Sequence, residues 1–153
     1  MSLTEINTEH VHYFEDEYGR KQGEYKEWHR NKQLHKHLFY VDDLTEGEYK
    51  EWHDNGNIYT RCSCVGGLAH GKYKRCYPDG STEIKCMCEY GDVHGVCERW
   101  DVSGDKRIIF YNTNNDITPE VTAIVHDISN ITQEEALLIK LKFNIDVVRF
   151  SDT

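Results

Sequence analysis

The sequence predicts a mainly β protein. We expect an elongated, single-layer antiparallel meander of β-hairpins with a 24-residue period and a small C-terminal α/β cap. Three observations carry this expectation. Segments opening on glycine recur at Gly23, Gly47, Gly71 and Gly95, at equal spacings of 24 residues. Turn-forming clusters fall at a fixed offset inside each segment. Between the turns the chain is rich in Val, Ile, Tyr, Trp, Thr and Cys, the residues that pleated strands favour.

The first two units share seven consecutive residues, G-E-Y-K-E-W-H, from Gly23 and again from Gly47. The third reads G-K-Y-K-R-C-Y-P-D-G from Gly71, and the fourth G-V-C-E-R-W-D-V-S-G from Gly95. Residues 10–22 fall in the same columns as residues 34–46 and form a half-unit. A fixed period of this length marks a repeat architecture, in which each supersecondary unit buries its surface against its neighbours. The repeat array is assigned to residues 1–115 and the cap to residues 116–153.

Within a unit the turn comes first. Asp54-Asn55-Gly56-Asn57, Tyr77-Pro78-Asp79-Gly80-Ser81 and Val102-Ser103-Gly104-Asp105 suit a type I turn followed by a left-handed residue. A second turn, Gly66 to Gly71 and again Gly91 to Gly95, links one hairpin to the next. If Tyr77 stands opposite Ser81, then Cys76 faces Thr82, Lys74 faces Ile84 and Lys72 faces Cys86. Carried through the repeats, one face collects Trp28, Trp52, Cys76 and Trp100 with Leu34, Ile58, Leu38, Cys62, Cys86, Phe110, Tyr40, Cys64 and Cys88. We take that face as the core, anchored by the three tryptophans. The other collects Tyr25, Tyr49 and Tyr73 with Glu27, Glu51, Arg75, Arg99, His29, His53, His35, His37, Arg61 and Lys85. At the N-terminal edge, His10 to Tyr18, the charges of Glu15, Asp16 and Glu17 are expected to blunt strand pairing.

After Asn115 the period stops. Val121–Ile128 reads as a strand. Thr132 to Glu135 opens a short helix with a capping box, and Leu137, Leu138 and Leu141 are available for packing. Val147–Phe150 reads as a last strand.

These residues resemble the MORN repeat in a variant form, G-x-Y-x-x-W-x-x-N-G followed by a strand and a Gly-x-x-His-Gly link. The more familiar eukaryotic pattern has a glycine between its first two aromatics, where Tyr49-Lys50-Glu51-Trp52 stands here. Repeats of this variant kind are similar to those of bacteria and of large DNA viruses of amoebae. The resemblance implies hairpins stacked into one sheet, scaffolding, dimerisation and partner binding. It implies no enzyme chemistry.

Composition narrows the function. The chain has 153 residues, 18 basic and 27 acidic side chains and a net charge of −9, which opposes bulk attraction to nucleic acid or anionic membranes. No apolar run approaches the roughly 18 residues of a transmembrane helix, and the N-terminus lacks the pattern of a signal peptide. Six cysteines without such a signal read as reduced thiols in a cytoplasmic or nuclear compartment.

Cys62-x-Cys64 and Cys86-x-Cys88 invite a zinc reading. Equivalent positions in successive hairpins lie two strands apart, roughly 9–10 Å, too far for shared ligation at Zn–S bonds of about 2.3 Å. No metal or other cofactor is expected, Cys97 reads as a lone thiol, and the histidines read as a solvated face without a carboxylate to complete a site. His70 and His94 are expected to orient the link turns by hydrogen bonding. No nucleophile–base pair, phosphate loop or carboxylate dyad is present, so no catalytic residue and no small-molecule substrate are assigned.

Two functions follow. The first is a self-associating, protein-binding module, a homodimer using Tyr25, Tyr49 and Tyr73 or Leu137, Leu138 and Leu141. The alternative is nucleic acid, or anionic lipid, held by Lys72, Lys74, Arg75, Lys85 and Arg99. Those residues lie in the segment 47–115, which carries 9 basic and 10 acidic side chains. The flanking segments are more acidic, with 6 against 10 before it and 3 against 7 after it.

Overall fold

The computed structural model describes residues 2–112 and 120–125, with side chains as far as Lys106. It is one antiparallel sheet. Its strands are β1 Thr4–Asn7, β2 Val11–Glu15, β3 Lys21–Trp28, β4 Leu34–Val41, β5 Leu44–Thr45, β6 Gly47–Trp52, β7 Ile58–Val65, β8 Leu68–Ala69, β9 Gly71–Cys76, β10 Thr82–Glu89, β11 Asp92–Trp100, β12 Lys106–Asn112 and β13 Glu120–Val125. The spatial order is β1-β2-β3-β4-β6-β7-β9-β10-β11-β12-β13, with β5 on β4 and β8 on β7. Each strand thus pairs with the next in the chain apart from those two short stubs, the meander expected from the repeat.

The expected turns form. His53 N–H donates to Asn57 O at 2.8 Å and Gly56 N–H to His53 O at 3.0 Å. Gly56, Gly80 and Gly104 all sit in the left-handed region, at φ of 86°, 88° and 90°. The first unit makes the same turn with Lys32 at φ 67°, a conformation that costs a side-chain-bearing residue roughly 1 kcal/mol or more.

The faces differ from expectation. Thr82 does pair with Cys76, but the next pair is Ile84 with Arg75, followed by Lys85 with Lys74 and Cys86 with Tyr73. A β-bulge has placed one extra residue, Glu83, in the second strand. The same shift recurs at Trp28/Leu34 and at Trp52/Ile58. Because side chains alternate with period 2, one extra residue moves everything beyond it to the other face. Tyr25, Tyr49 and Tyr73 therefore pair with Leu38, Cys62 and Cys86 and share their face. The tryptophans lie on the opposite face.

The buried residues lie mainly on the tyrosine–cysteine face. Ile84, Cys86, Cys88 and Cys97 form the core cluster, with Ala69, Tyr73 and Val93 against it. Leu38, Cys62 and Cys64 are also buried there. Cys97 is not a lone thiol on the far side: it stands opposite Cys86 and, among the described residues, is the most deeply buried hydrophobic side chain. Cys86 Sγ and Cys88 Sγ are 4.0 Å apart. Hydrogen bonding with Cys88 and Cys97, added to burial, pushes the Cys86 thiol up, and burial first of all raises Cys62 to about 12. All six cysteines are free thiols.

Two further differences concern the ends. β1 lies outside β2, so His10 to Tyr18 is not the edge. Asp16 does not blunt that edge either. Its carboxylate is buried and accepts hydrogen bonds from Tyr18 N–H at 2.9 Å, Arg20 N–H at 3.0 Å and Arg20 Nε at 2.8 Å. Downstream, the strand expected at 121–128 is present as β13 and pairs antiparallel with β12. It extends the same sheet past residue 115. The expected helix with Leu137, Leu138 and Leu141 and the strand 147–150 lie outside the described residues. Among those described, no helix is long and apolar enough to cross a membrane.

Candidate anion-binding face

The bulge that sets the core cysteines beside the tyrosines also brings His37, Arg61 and Lys85 to the lysines on the tryptophan face. There the cross-strand partners form one continuous row. His12 pairs with Lys26, Lys26 with His37, His37 with Lys50, Lys50 with Arg61, Arg61 with Lys74 and Lys74 with Lys85. Seven adjacent strands, β2, β3, β4, β6, β7, β9 and β10, each supply one basic residue. At about 4.8 Å per strand the row is roughly 29 Å long. Like charges directly opposite one another destabilise a sheet, so the row requires compensating anions.

Most of the row contains its own. Glu5 meets His12 at 2.8 Å. Glu24 meets Lys26 and His37, each at 2.9 Å. Glu48 meets Lys50 at 3.0 Å and Arg61 at 3.3 Å. The Lys26 ammonium and then His37 hold the Glu24 carboxyl below its ordinary range, and Lys50 does the same to Glu48. Lys74 and Lys85 come next, and the position equivalent to Glu24 and Glu48 is Lys72. Trp100, on the same face, has Lys85 Nζ at 5.7 Å and Lys106 Nζ at 5.1 Å from its ring centre, within reach of cation–π attraction.

Of the anion-contact residues expected from sequence, Lys72, Lys74 and Lys85 come together on this face. Arg75 and Arg99 do not. Both lie opposite Ile84, on the tyrosine–cysteine face. Arg75 is bound there to Glu83 through Nε at 2.8 Å and Nη2 at 2.7 Å. Sequence reasoning placed Arg61 on the other face from the tryptophans and gave Lys50 no role. The equal column offsets of Lys26, Lys50 and Lys74 were the signal available.

The tyrosines expected at a dimer contact are tied into the other face. Tyr25 donates to Glu27 at 3.1 Å and Tyr49 to Glu51 at 2.9 Å. His35 bridges the two carboxylates, 3.1 Å from each, and its ring stacks 4.2 Å from that of His29. A carboxylate pair does stand beside these histidines, contrary to expectation. His35 and His37 also part company, because the bulge turns His35 to the Glu27 face while His37 stays in the basic row. Burial and the Glu27 charge raise Tyr25 to about 12. Among the described residues no group of His, Cys, Asp and Glu could hold a metal ion. His70 does not orient its turn as expected through Nδ1, which is buried without a hydrogen-bond partner; its ring packs 4.7 Å from that of Tyr90.

No family model matches the chain, and no curated protein matches it either.

Proposed function

We propose that this chain is a non-catalytic, MORN-like binding platform whose tryptophan–lysine face takes a single-stranded nucleic acid. The observation that carries the reading is the run Lys50, Arg61, Lys74 and Lys85, four directly opposed cations on consecutive strands. Glu48 already meets Lys50 and Arg61, and a flexible polyanion crossing the strands adds to that neutralisation along the row. Trp52 and Trp100 flank the row on the same face and supply stacking surfaces of the kind that bind bases without sequence preference. The net charge of −9 confines attraction to this face and opposes binding elsewhere.

The test is retardation of a fluorescent oligothymidylate across a salt series. Affinity falls steeply with salt, with a log–log slope of about −0.7 per phosphate neutralised. Arg61→Glu together with Lys74→Glu abolishes binding. Salt-independent binding, or none at low salt, refutes the reading.

Protein contact is the second reading. The same face exposes Phe39, Val41, Leu44, Val65 and Leu68 near the link turns, with Val41 and Leu44 more than half exposed. Such a row suits an apolar partner or a second copy of this chain. Light scattering of the protein alone tests self-association: a dimer that Leu44→Asp with Leu68→Asp returns to monomer supports it.

A further inference from the structure

One position breaks the tyrosine column. Tyr25, Tyr49 and Tyr73 recur at the 24-residue period, and the fourth unit carries Cys97 in their place. The exchange sets a thiol against a thiol, because Cys97 on β11 pairs directly with Cys86 on β10. Among the described strand pairs no other two cysteines stand opposite each other. Directly opposed residues of an antiparallel pair have Cα atoms roughly 4.5–5.5 Å apart, inside the span of roughly 4.4–6.8 Å that disulfides occupy. The remaining thiols are placed less well. Cys86 and Cys88, like Cys62 and Cys64, sit two residues apart on one strand, a Cα separation of roughly 6.6–6.8 Å, at the far limit of that span. Cys62 and Cys86 are separated by β9, which sets Tyr73 opposite Cys86.

We propose that Cys86 and Cys97 form a peroxide-reactive dithiol site that closes to a cross-strand disulfide and staples the third hairpin to the fourth. The site does not depend on the nucleic-acid reading, since it lies on the face opposite the basic row. Burial selects the oxidant. Cys86 is 3% and Cys97 1% exposed, so a bulky disulfide cannot align with either sulfur, whereas hydrogen peroxide is little larger than water and enters during local opening of the strands. Cys97 is the attacking sulfur. Hydrogen bonding with Cys86, and then with the Arg99 guanidinium, holds its thiol below the ordinary value, at about 7, against the effect of burial, and the thiolate is the nucleophilic form. It attacks one peroxide oxygen: the S–O bond forms, the O–O bond breaks, and the departing hydroxide takes up the proton the thiol released, leaving a sulfenic acid and water. Cys86 gives up its proton and attacks the Cys97 sulfur. The S–S bond forms, the S–O bond breaks, and hydroxide leaves with that proton as a second water. Two thiols thereby lose two electrons and peroxide gains them. A dithiol reductant reverses the step by exchange and becomes a disulfide itself.

The full chain is treated with hydrogen peroxide under native conditions, its free thiols are capped with N-ethylmaleimide in urea, and its peptides are mapped. Wild type loses two of its six thiols and yields a Cys86–Cys97 linked peptide, and dithiothreitol restores both thiols. The oxidised protein melts roughly 5–10 °C above the reduced one. Cys88→Ser keeps the linkage and Cys97→Ser loses it. Cys86→Ser leaves Cys97 as a sulfenic acid that dimedone traps. Survival of all six thiols, a linkage of Cys86 to Cys88 or of Cys62 to Cys64 in its place, or a Cys86–Cys97 linkage that forms only when peroxide is added in urea overturns the site. The wild-type map decides this even where a variant fails to fold.

Discussion

The imidazole of His29 reaches across to the next hairpin and lies 2.9 Å from the carbonyl oxygen of Trp52. A carbonyl only accepts, so Nε2 carries the proton. His53 makes the same 2.9 Å bond to Cys76 O, and Tyr77 donates to Trp100 O at 2.8 Å. Asn31 and Asn55 stitch neighbouring turns in parallel, donating to Asp54 O and Pro78 O, each at 2.6 Å. Side chains at one repeat position thus hold successive units together at their turns.

Removing one of these links has a defined cost. His53→Ala is expected to destabilise the protein by about 1 kcal/mol, the net worth of one hydrogen bond. Urea unfolding measures it. A loss below about 0.3 kcal/mol would mean that backbone pairing alone aligns the units.

The turn of the first unit is improvable. Lys32 occupies the left-handed position that glycine fills in the other units, so Lys32→Gly should stabilise by roughly 0.5–1 kcal/mol despite the extra freedom it adds to the unfolded chain. Gly56→Ala should act in the opposite sense, because its φ is 86° and the new methyl would stand 3.2 Å from Gln33 Oε1. Calorimetric midpoints of both variants check the pair. Equal midpoints would remove backbone strain as the cause.

Asp16 makes stability depend on acid pH. Burial alone would raise its pKa. The backbone and side chain of Arg20, then Tyr18 N–H and Gln22, outweigh that and bring it from 3.8 to about 2. A depressed folded value means that the contribution is present above the unfolded value of about 3.8 and fades as pH falls toward about 2. The gap in midpoint between wild type and Asp16→Asn should be constant from pH 7 to 5 and close below pH 4. A gap unchanged down to pH 2.5 would contradict this.

Truncations should rank by face. Leu38 is 3% exposed on the tyrosine–cysteine face, so Leu38→Ala should cost about 2–4 kcal/mol. Trp52 is only partly buried on the opposite face. Trp52→Ala should therefore cost less than Leu38→Ala in denaturant titrations, not the 3–5 kcal/mol of a core tryptophan. The reverse order would restore the tryptophans as the core. Deleting residues 47–70, one full period, should leave a shorter folded sheet.

Four equally spaced glycine starts were enough to determine the meander, because a 24-residue unit with two turns has one economical way to bury its strands: against the next copy. The turn chemistry was equally plain. Asn-Gly, Asp-Gly and Ser-Gly at fixed offsets announced the left-handed position that Gly56, Gly80 and Gly104 occupy. The face of each side chain was not legible, since strands alternate every residue and one bulged residue, Glu83 or its equivalents, reverses all that follow. That reversal set Tyr73 in the core beside Cys86, placed Cys97 in the same thiol cluster and moved Lys85 away from Arg75 and Arg99 to stand opposite Lys74. The exchange of Glu24 and Glu48 for Lys72 was visible as letters in one repeat column. Only the register, which sets Lys74 against Lys85 and against Arg61, turns that exchange into a concentration of positive charge.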